Sequence, residues 1–292
     1  VAFITSIILI LLSIGLFFLN GLNFGIDFKG GTLIEIETQN KIEISEVRSS
    51  LNSLSLGDIQ VQEFGSDKNL LIRIEQQQGG DQIQQNVLEI VKQKLMNDIS
   101  ETINFRRTEV VGPKVSGELI QSGTIAILVA VFAMLIYIWL RFEWQFSLGA
   151  VIALLHDVIL TIGVFCLTQL EFNLPIIAAI LTIVGYSMND TVVVYDRVRE
   201  NLRKFRSKEI TSLLNLSINE TLSRTIVTSV TTLLALVSLY IFGGEVIKGF
   251  TFAMIWGVLV GTYSSIFVAA PLLTYLDVKR EWNTTTAVDS TK

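Results

Sequence analysis

The chain has 292 residues, half of them apolar and 17% charged, with a mean hydropathy of +0.56. Several apolar runs reach the roughly 20 residues that cross a bilayer core, which excludes a soluble globular protein. The net charge of −5 says little by itself, because acids crowd one polar block and bases gather in a stretch near residue 200. Cys166 is the single cysteine and lies in an apolar run, so no intrachain disulfide forms and a structural metal cluster is not expected.

The chain opens at Val1 without a methionine, and a short N-terminal piece is expected to precede it. Residues 1–19 read as a retained span rather than a signal peptide, since Asn20-Gly21-Leu22 is a poor cleavage site. A polar block over 21–121 follows, about 100 residues, enough for one small domain. Thr32 to Glu37 alternates like a strand, and Ser45 to Leu54 has helical spacing. Ile59 to Phe64 and Leu70 to Ile74 alternate around Gly65-Ser66-Asp67, which is hairpin chemistry. Asp81 to Met96 reads as a helix, with Asp81 and Gln84 as a capping box and Ile83, Val87, Val91 and Leu95 as one stripe. Ile103 to Val111 is a last strand, stopped at Gly112-Pro113. The order β-α-β-β-α-β predicts a ferredoxin-like α+β domain.

Five more spans follow at about 122–140, 146–168, 173–195, 222–242 and 249–276, giving a polytopic α-helical membrane protein of six transmembrane helices. Arg197, Arg199, Arg203, Lys204, Arg206 and Lys208 lie in a basic loop over 196–221 and mark the cytoplasmic side, which Arg141, Lys279 and Arg280 share. Both termini, including the tail 279–292, are then cytoplasmic, and the block 21–121 lies outside. Gly30-Gly31 leads into a strand rather than a helix, so it is no phosphate loop. The outer block has no Ser/His/Asp set, and nothing points to an enzyme, a cofactor or a nucleic acid.

Polar residues interrupt the spans. Asp190 sits in the fourth with Ser187 and Asn189, on a face shared by Ile183, Ser187 and Val194. A carboxylate in hydrocarbon costs about 2.5–3.5 kcal/mol on insertion scales, so it is a functional candidate. Arg224 opens the fifth span at matching depth and is expected to pair with Asp190, so that a proton reaching the aspartate releases the arginine; a fixed pair that pins two helices is the plainer reading. His156 and Asp157, in the third span, are further relay candidates, although adjacent residues on a helix point about 100° apart and do not face one partner. Thr225 and Thr228 belong to a Ser/Thr row that either holds a water file or bonds across helices. Gly257, Gly261, Ser264 and Ser265 in the sixth span read as small packing residues. Asp196, Arg197, Arg199 and Glu200 read as solvated or lipid-headgroup charges, and Glu220 as heading the fifth span.

Phe24-Gly25-Ile26-Asp27-Phe28-Lys29-Gly30-Gly31-Thr32 resembles the G-x-D-F-x-G-G motif of the SecF branch of the SecD/SecF family of bacterial protein-export subunits. His156-Asp157, the run from Gly185 to Asn201, Leu222 to Ser229 and Gly261 to Ile266 fit the same family, and the likeness covers nearly the whole chain. The resemblance implies a subunit of the bacterial inner membrane that works with SecD beside the SecYEG translocon. It would draw a translocating preprotein outward on proton flow, with Asp190 as the proton-responsive aspartate and Arg224 as its partner. The wider relationship is to resistance-nodulation-division transporters. Gly25, Asp27, Gly30 and Gly31 are either a hinge or a tight turn into the first strand. Sodium can replace the proton at such a site. A small-molecule antiporter of that superfamily and a pure scaffold subunit are the competing readings, and the small outer block counts against the first.

Overall fold

The computed structural model describes residues 2–99, 102–205, 207–276 and 278. Helix α1 (Ala2–Leu19) is apolar throughout, and the chain then passes through the one-turn helix α2 (Ile26–Lys29) into a sheet domain. There β1 (Gly31–Glu37), α3 (Ile44–Asn52), β2 (Ile59–Phe64), β3 (Ser66–Ile74), α4 (Asp81–Asp98) and β4 (Asn104–Val111) follow in the expected succession. The four strands form one antiparallel sheet in the order β2-β3-β1-β4, the topology of a ferredoxin-like domain.

Alternation decides which side chains meet. Ile34 lies opposite Ile72, and this face packs on Val47 and Leu51 of α3 and on Val87, Val91 and Leu95 of α4. Leu33 and Leu71 turn to the other face, where Ile26 covers them. Two local expectations change. The N-cap of α4 is Gly80 with no side-chain cap bond, and Gln84 reaches back to the carbonyl of Gln77 at 2.8 Å instead of closing a capping box. Ile83 is exposed, and buried Gln84 takes its place in the stripe, because repeated i+4 steps drift around a helix of about 3.6 residues per turn and Gln84, not Ile83, comes back over Leu95. The hairpin is also tighter than expected, with Phe64 opposite Ser66 across Gly65 alone.

β4 runs through Gly112 straight into α5 (Pro113–Arg141), with proline in the first turn where its missing N–H is not needed. The helix begins well before residue 122, since a hydropathy run marks only the part that hydrocarbon surrounds. α6 (Trp144–Thr168), α7 (Leu174–Lys204), α8 (Ile210–Phe242) and α9 (Glu245–Ser264) follow. A π-helical turn (Ser265–Ala269) then leads into α10 (Ala270–Leu272). Six of these segments are long and apolar enough to cross a membrane. α6, α7 and α9 form the buried centre, while α1, α5 and α8 pack around it with one side bare.

The expected loop over 196–221 is mostly helix. Arg197, Arg199, Arg203 and Lys204 ride on the end of α7, and Arg206 and the tail 279–292 lie outside the described residues. The charges expected to be solvated or at lipid headgroups are partly exposed and also form ion pairs. Arg141 donates to both carboxylate oxygens of Asp196 at 2.8 and 3.0 Å, and Arg197 bonds Glu200 and Glu220 at 2.6 Å each. Glu220 sits inside α8, which starts ten residues before it, and so ties α8 to α7 rather than heading the span.

Candidate functional site

Within a bilayer no water competes for polar groups, so buried polar side chains gather where they satisfy one another. Asp157 of α6 is the hub of such a cluster. Its Oδ2 accepts hydrogen bonds from Ser187 Oγ of α7 at 2.5 Å and from Ser264 Oγ of α9 at 2.8 Å, while Oδ1 lies 2.9 Å from His156 Nδ1. All four residues are at most 1% exposed. Two hydroxyl donors and the His156 ring nitrogen occupy most of the carboxyl group's hydrogen-bonding capacity, and the two hydroxyls join three helices at one point. The helix spacing holds as expected, because the His156 ring turns away and stacks on Tyr263 with centroids 6.2 Å apart. His156 Nε2 has no hydrogen-bond partner among the described residues.

Glycine makes the approach of α9 possible, since a Cβ on Gly261 would stand 2.9 Å from Ser187 Cβ. The π-turn lies directly after Ser264. In a regular helix the ring of Pro271 would meet the carbonyl of the residue four before it, and a widened turn relieves this clash. The turn brings Ser265 Oγ to 2.9 Å from Thr191 Oγ1, and Tyr195 Oη donates to the Ala269 carbonyl at 3.1 Å. Ser187, Thr191 and Tyr195 recur every four residues, so one face of α7 carries a polar ladder from the Asp157 cluster along the π-turn.

Asp190 follows Ser187 by three residues. It is 4% exposed, and its Oδ2 has no hydrogen-bond partner among the described residues. The expected ion pair with Arg224 is not formed. Arg224 is exposed on the bare side of α8 beside Val227, and its charge reaches Asp190 through space. The expectation treated depth alone, whereas the roll of α8 decides where a side chain points. Thr225 is buried with an unpartnered Oγ1, Thr228 bonds back to the carbonyls of Arg224 and Thr225, and Asn189 is exposed. Ser229 does cross to Thr262 of α9 at 2.7 Å, so the Ser/Thr row bonds across helices at that point.

The G-x-D-F-x-G-G segment lies at the other end of α7. Asp27 Oδ2 accepts from the backbone N–H of Leu174 at 2.7 Å, in the first turn of α7. Gly30 and Gly31 have φ values of +72° and +118°, and a Cβ on Gly31 would run into the Ile74 carbonyl oxygen, so only glycine turns the chain into β1 here. Among the described residues no group of three or more His, Cys, Asp or Glu side chains is placed to hold a metal ion.

Sequence reasoning missed Ser264 as a bonding partner of Asp157, along with Thr191, Tyr195 and the π-turn. Pro271 inside a span was the available signal. Asp27 as a cap had none, because the helix it caps lies more than 140 residues away in sequence.

The fold and site define a class: a six-span helical membrane protein with a ferredoxin-like domain beside the bundle and carboxylates buried among its spans. The family of protein export membrane protein SecD/SecF, C-terminal, matches residues 91–279, and the SecD/SecF GG motif matches residues 15–42. Protein translocase subunit SecF of Rickettsia bellii (strain OSU 85-389) is 48% identical over 280 residues, 96% of this chain and 92% of that protein. The Cereibacter sphaeroides subunit of the same name is 50% identical over 266 residues, 89% of this chain and 82% of that one. The crystal structure of SecDF from Thermus thermophilus, a translocon-associated membrane protein, superposes with a TM-score of 0.82 at 35% identity. SecDF in its super-membrane-facing form gives 0.67 at the same identity. Each alignment covers 93% of this chain, which spans 37% of the SecDF chain. The chain belongs to the SecF protein translocase subunits of the SecD/SecF family.

Proposed function

We propose that this subunit is one half of a proton-driven export motor in the bacterial inner membrane, working with SecD beside SecYEG to draw a preprotein outward. The observation that carries the reading is Asp190, a carboxyl buried in a span with one oxygen unpartnered, next to a three-helix carboxylate cluster. An intramembrane carboxyl without a bonding partner is costly, and it is retained where a proton is taken up and released. One charge moving across 100 mV supplies about 2.3 kcal/mol. Asp157 and His156 form a second station in the relay, and Arg224 sets the field at Asp190.

SecD covers the bare side of α8, where Arg224 is exposed, and the exposed Asn189 of α7. The bases at the end of α7 face the cytoplasm, so both termini are cytoplasmic and the sheet domain lies outside. The unequal superposition on two forms of SecDF supports an outer domain that changes position. The subunit performs no covalent chemistry and uses no cofactor beyond the coupling ion.

Inverted vesicles carrying this subunit and its partner test the reading, with equal assembly checked first. Asp190→Asn is expected to abolish the part of export that responds to an imposed proton gradient. Full retention of that response would make the aspartate structural, and a response to a sodium gradient in its place would change the ion.

A further inference from the structure

We infer that Asp27 and Arg73 are positioning residues that make the outer domain and α7 one mechanical joint, so that movement of the Asp190 helix is carried into the domain. This rests on the motor reading above. The joint has three parts. Asp27, on α2, caps the first turn of α7 through Leu174 N at 2.7 Å. Asn173 holds the N-cap position itself, yet its own Oδ1 has no partner among the described residues, so the cap comes from a distant segment. A carboxylate there meets both the unbonded N–H groups and the positive end of the helix dipole.

The second part is backbone. Gly25 N donates to Phe172 O at 2.9 Å and Phe172 N to Asn23 O at 2.7 Å, a pair of rungs that ties the segment after α1 to the loop before α7. A Cβ at Gly25 would stand 2.5 Å from Glu171 Oε1 and 3.3 Å from Asn173 Cβ, so a larger residue here would displace the Glu171 carboxylate. Phe28 closes on Phe172 with ring centroids 5.9 Å apart.

The third part is ionic. Arg73, next to the end of the central strand β3, forms a half-buried ion pair with Glu171 of the same loop. Asp27 and Arg107 are the other charges acting on Glu171. Beside the pair lies a cavity of about 400 Å³ lined by Phe24, Lys29, Arg73 and Gln76, which leaves room for the joint to give. The sheet is thus held to the α6–α7 loop by a side-chain pair, and α2 to the first turn of α7 by a cap. No part of this joint touches the Asp157 cluster or Asp190.

The test uses the whole complex in inverted vesicles under a proton gradient, with carbodiimide reactivity of Asp190 against pH as a readout that does not pass through the outer domain. Arg73→Glu, Glu171→Arg and Asp27→Ala are each expected to cut gradient-driven export about tenfold, the scale of one charge-assisted bond. The Arg73→Glu/Glu171→Arg double swap and Asp27→Asn, which keeps a capping oxygen, are expected to return export to within about twofold. Asp190 reactivity should be the same in every variant. The joint is refuted if the single changes leave export intact, if neither the swap nor Asp27→Asn restores it, or if Asp190 reactivity shifts with them. A wild-type Asp190 whose reactivity ignores pH would sink the motor reading alone, since the pattern of loss and rescue is still read from export.

Discussion

Ser187 donates its hydroxyl proton to Asp157 across 2.5 Å, from the helix that bears Asp190 to the helix beside it. That bond and its twin from Ser264 make Asp157 the point where α6, α7 and α9 are held in mutual register. A hydrogen bond to a charged group contributes about 1.5–3 kcal/mol. Ser264→Ala is expected to lower the heat stability of the purified complex by a comparable amount. Asp157→Asn should cost more, because both serines bond the same oxygen and a neutral amide oxygen accepts from them more weakly, while its NH2 is turned toward His156 Nδ1. A double-mutant cycle between the two positions should show coupling well above the roughly 0.5 kcal/mol scatter of independent sites, and strict additivity would mean the bond is not made.

Tyr195 donates to the carbonyl of Ala269 at the end of the π-turn. Tyr195→Phe removes this buried hydrogen bond. The expected cost is about 0.5–1.5 kcal/mol in thermal or denaturant unfolding, with no loss of packing volume. An unchanged midpoint would show that water or an altered turn replaces the phenol.

Gly31 is the position in the G-x-D-F-x-G-G segment least open to change. At φ +118°, with the Ile74 carbonyl against it, Gly31→Ala strains the backbone by about 1–3 kcal/mol and pushes β1 away from β3. Faster proteolysis within the outer domain, at unchanged insertion of the spans, is the expected result.

Glu171 gives the joint a pH dependence of definite sign. Burial pushes its carboxyl above the ordinary range, with Arg73 pulling the other way. The docked state therefore holds a proton that the undocked state has already lost. Docking is strengthened as the outer pH falls through the raised value, the gain is complete below the ordinary value of 4.5, and it disappears as the pH rises again. Amide exchange at Gly25 and Phe172, corrected for the intrinsic rate, should slow relative to the rest of the domain on acidification. Faster relative exchange would reverse the sign and remove Glu171 from the joint.

Local patterning made the sheet domain readable: alternation in Ile59 to Phe64 and a helical stripe through Val87, Val91 and Leu95 need only the nearest residues to show their faces. Span number was readable for the same reason, since hydrocarbon selects on composition. The site was half readable. Asp157 and Asp190 stand out because charge in a span is costly wherever it occurs, but what each carboxylate touches depends on helix roll. Nothing near Arg224 in sequence reports that its side of α8 is bare. Ser264 looked like a packing residue because one small side chain fits a close helix contact and bonds a carboxylate equally well. Asp27 was placed correctly in its motif, and its helix partner belonged to tertiary structure alone.

α7 is a single unbroken helix of 31 residues, about 46 Å long at 1.5 Å per residue. Its first turn is held by Asp27, and its last turns by Asn201, which donates to Ser217 at 2.9 Å and to Glu220 at 2.7 Å. A rod pinned at both ends can roll about its axis but cannot slide along it. On the motor reading proposed above, a change of charge at Asp190 would be expressed as torque. The ladder of Ser187, Thr191 and Tyr195 would swing together past α9, and the loop with Glu171 would sweep sideways under the outer domain rather than push up against it. A piston would need one of those ends to let go first.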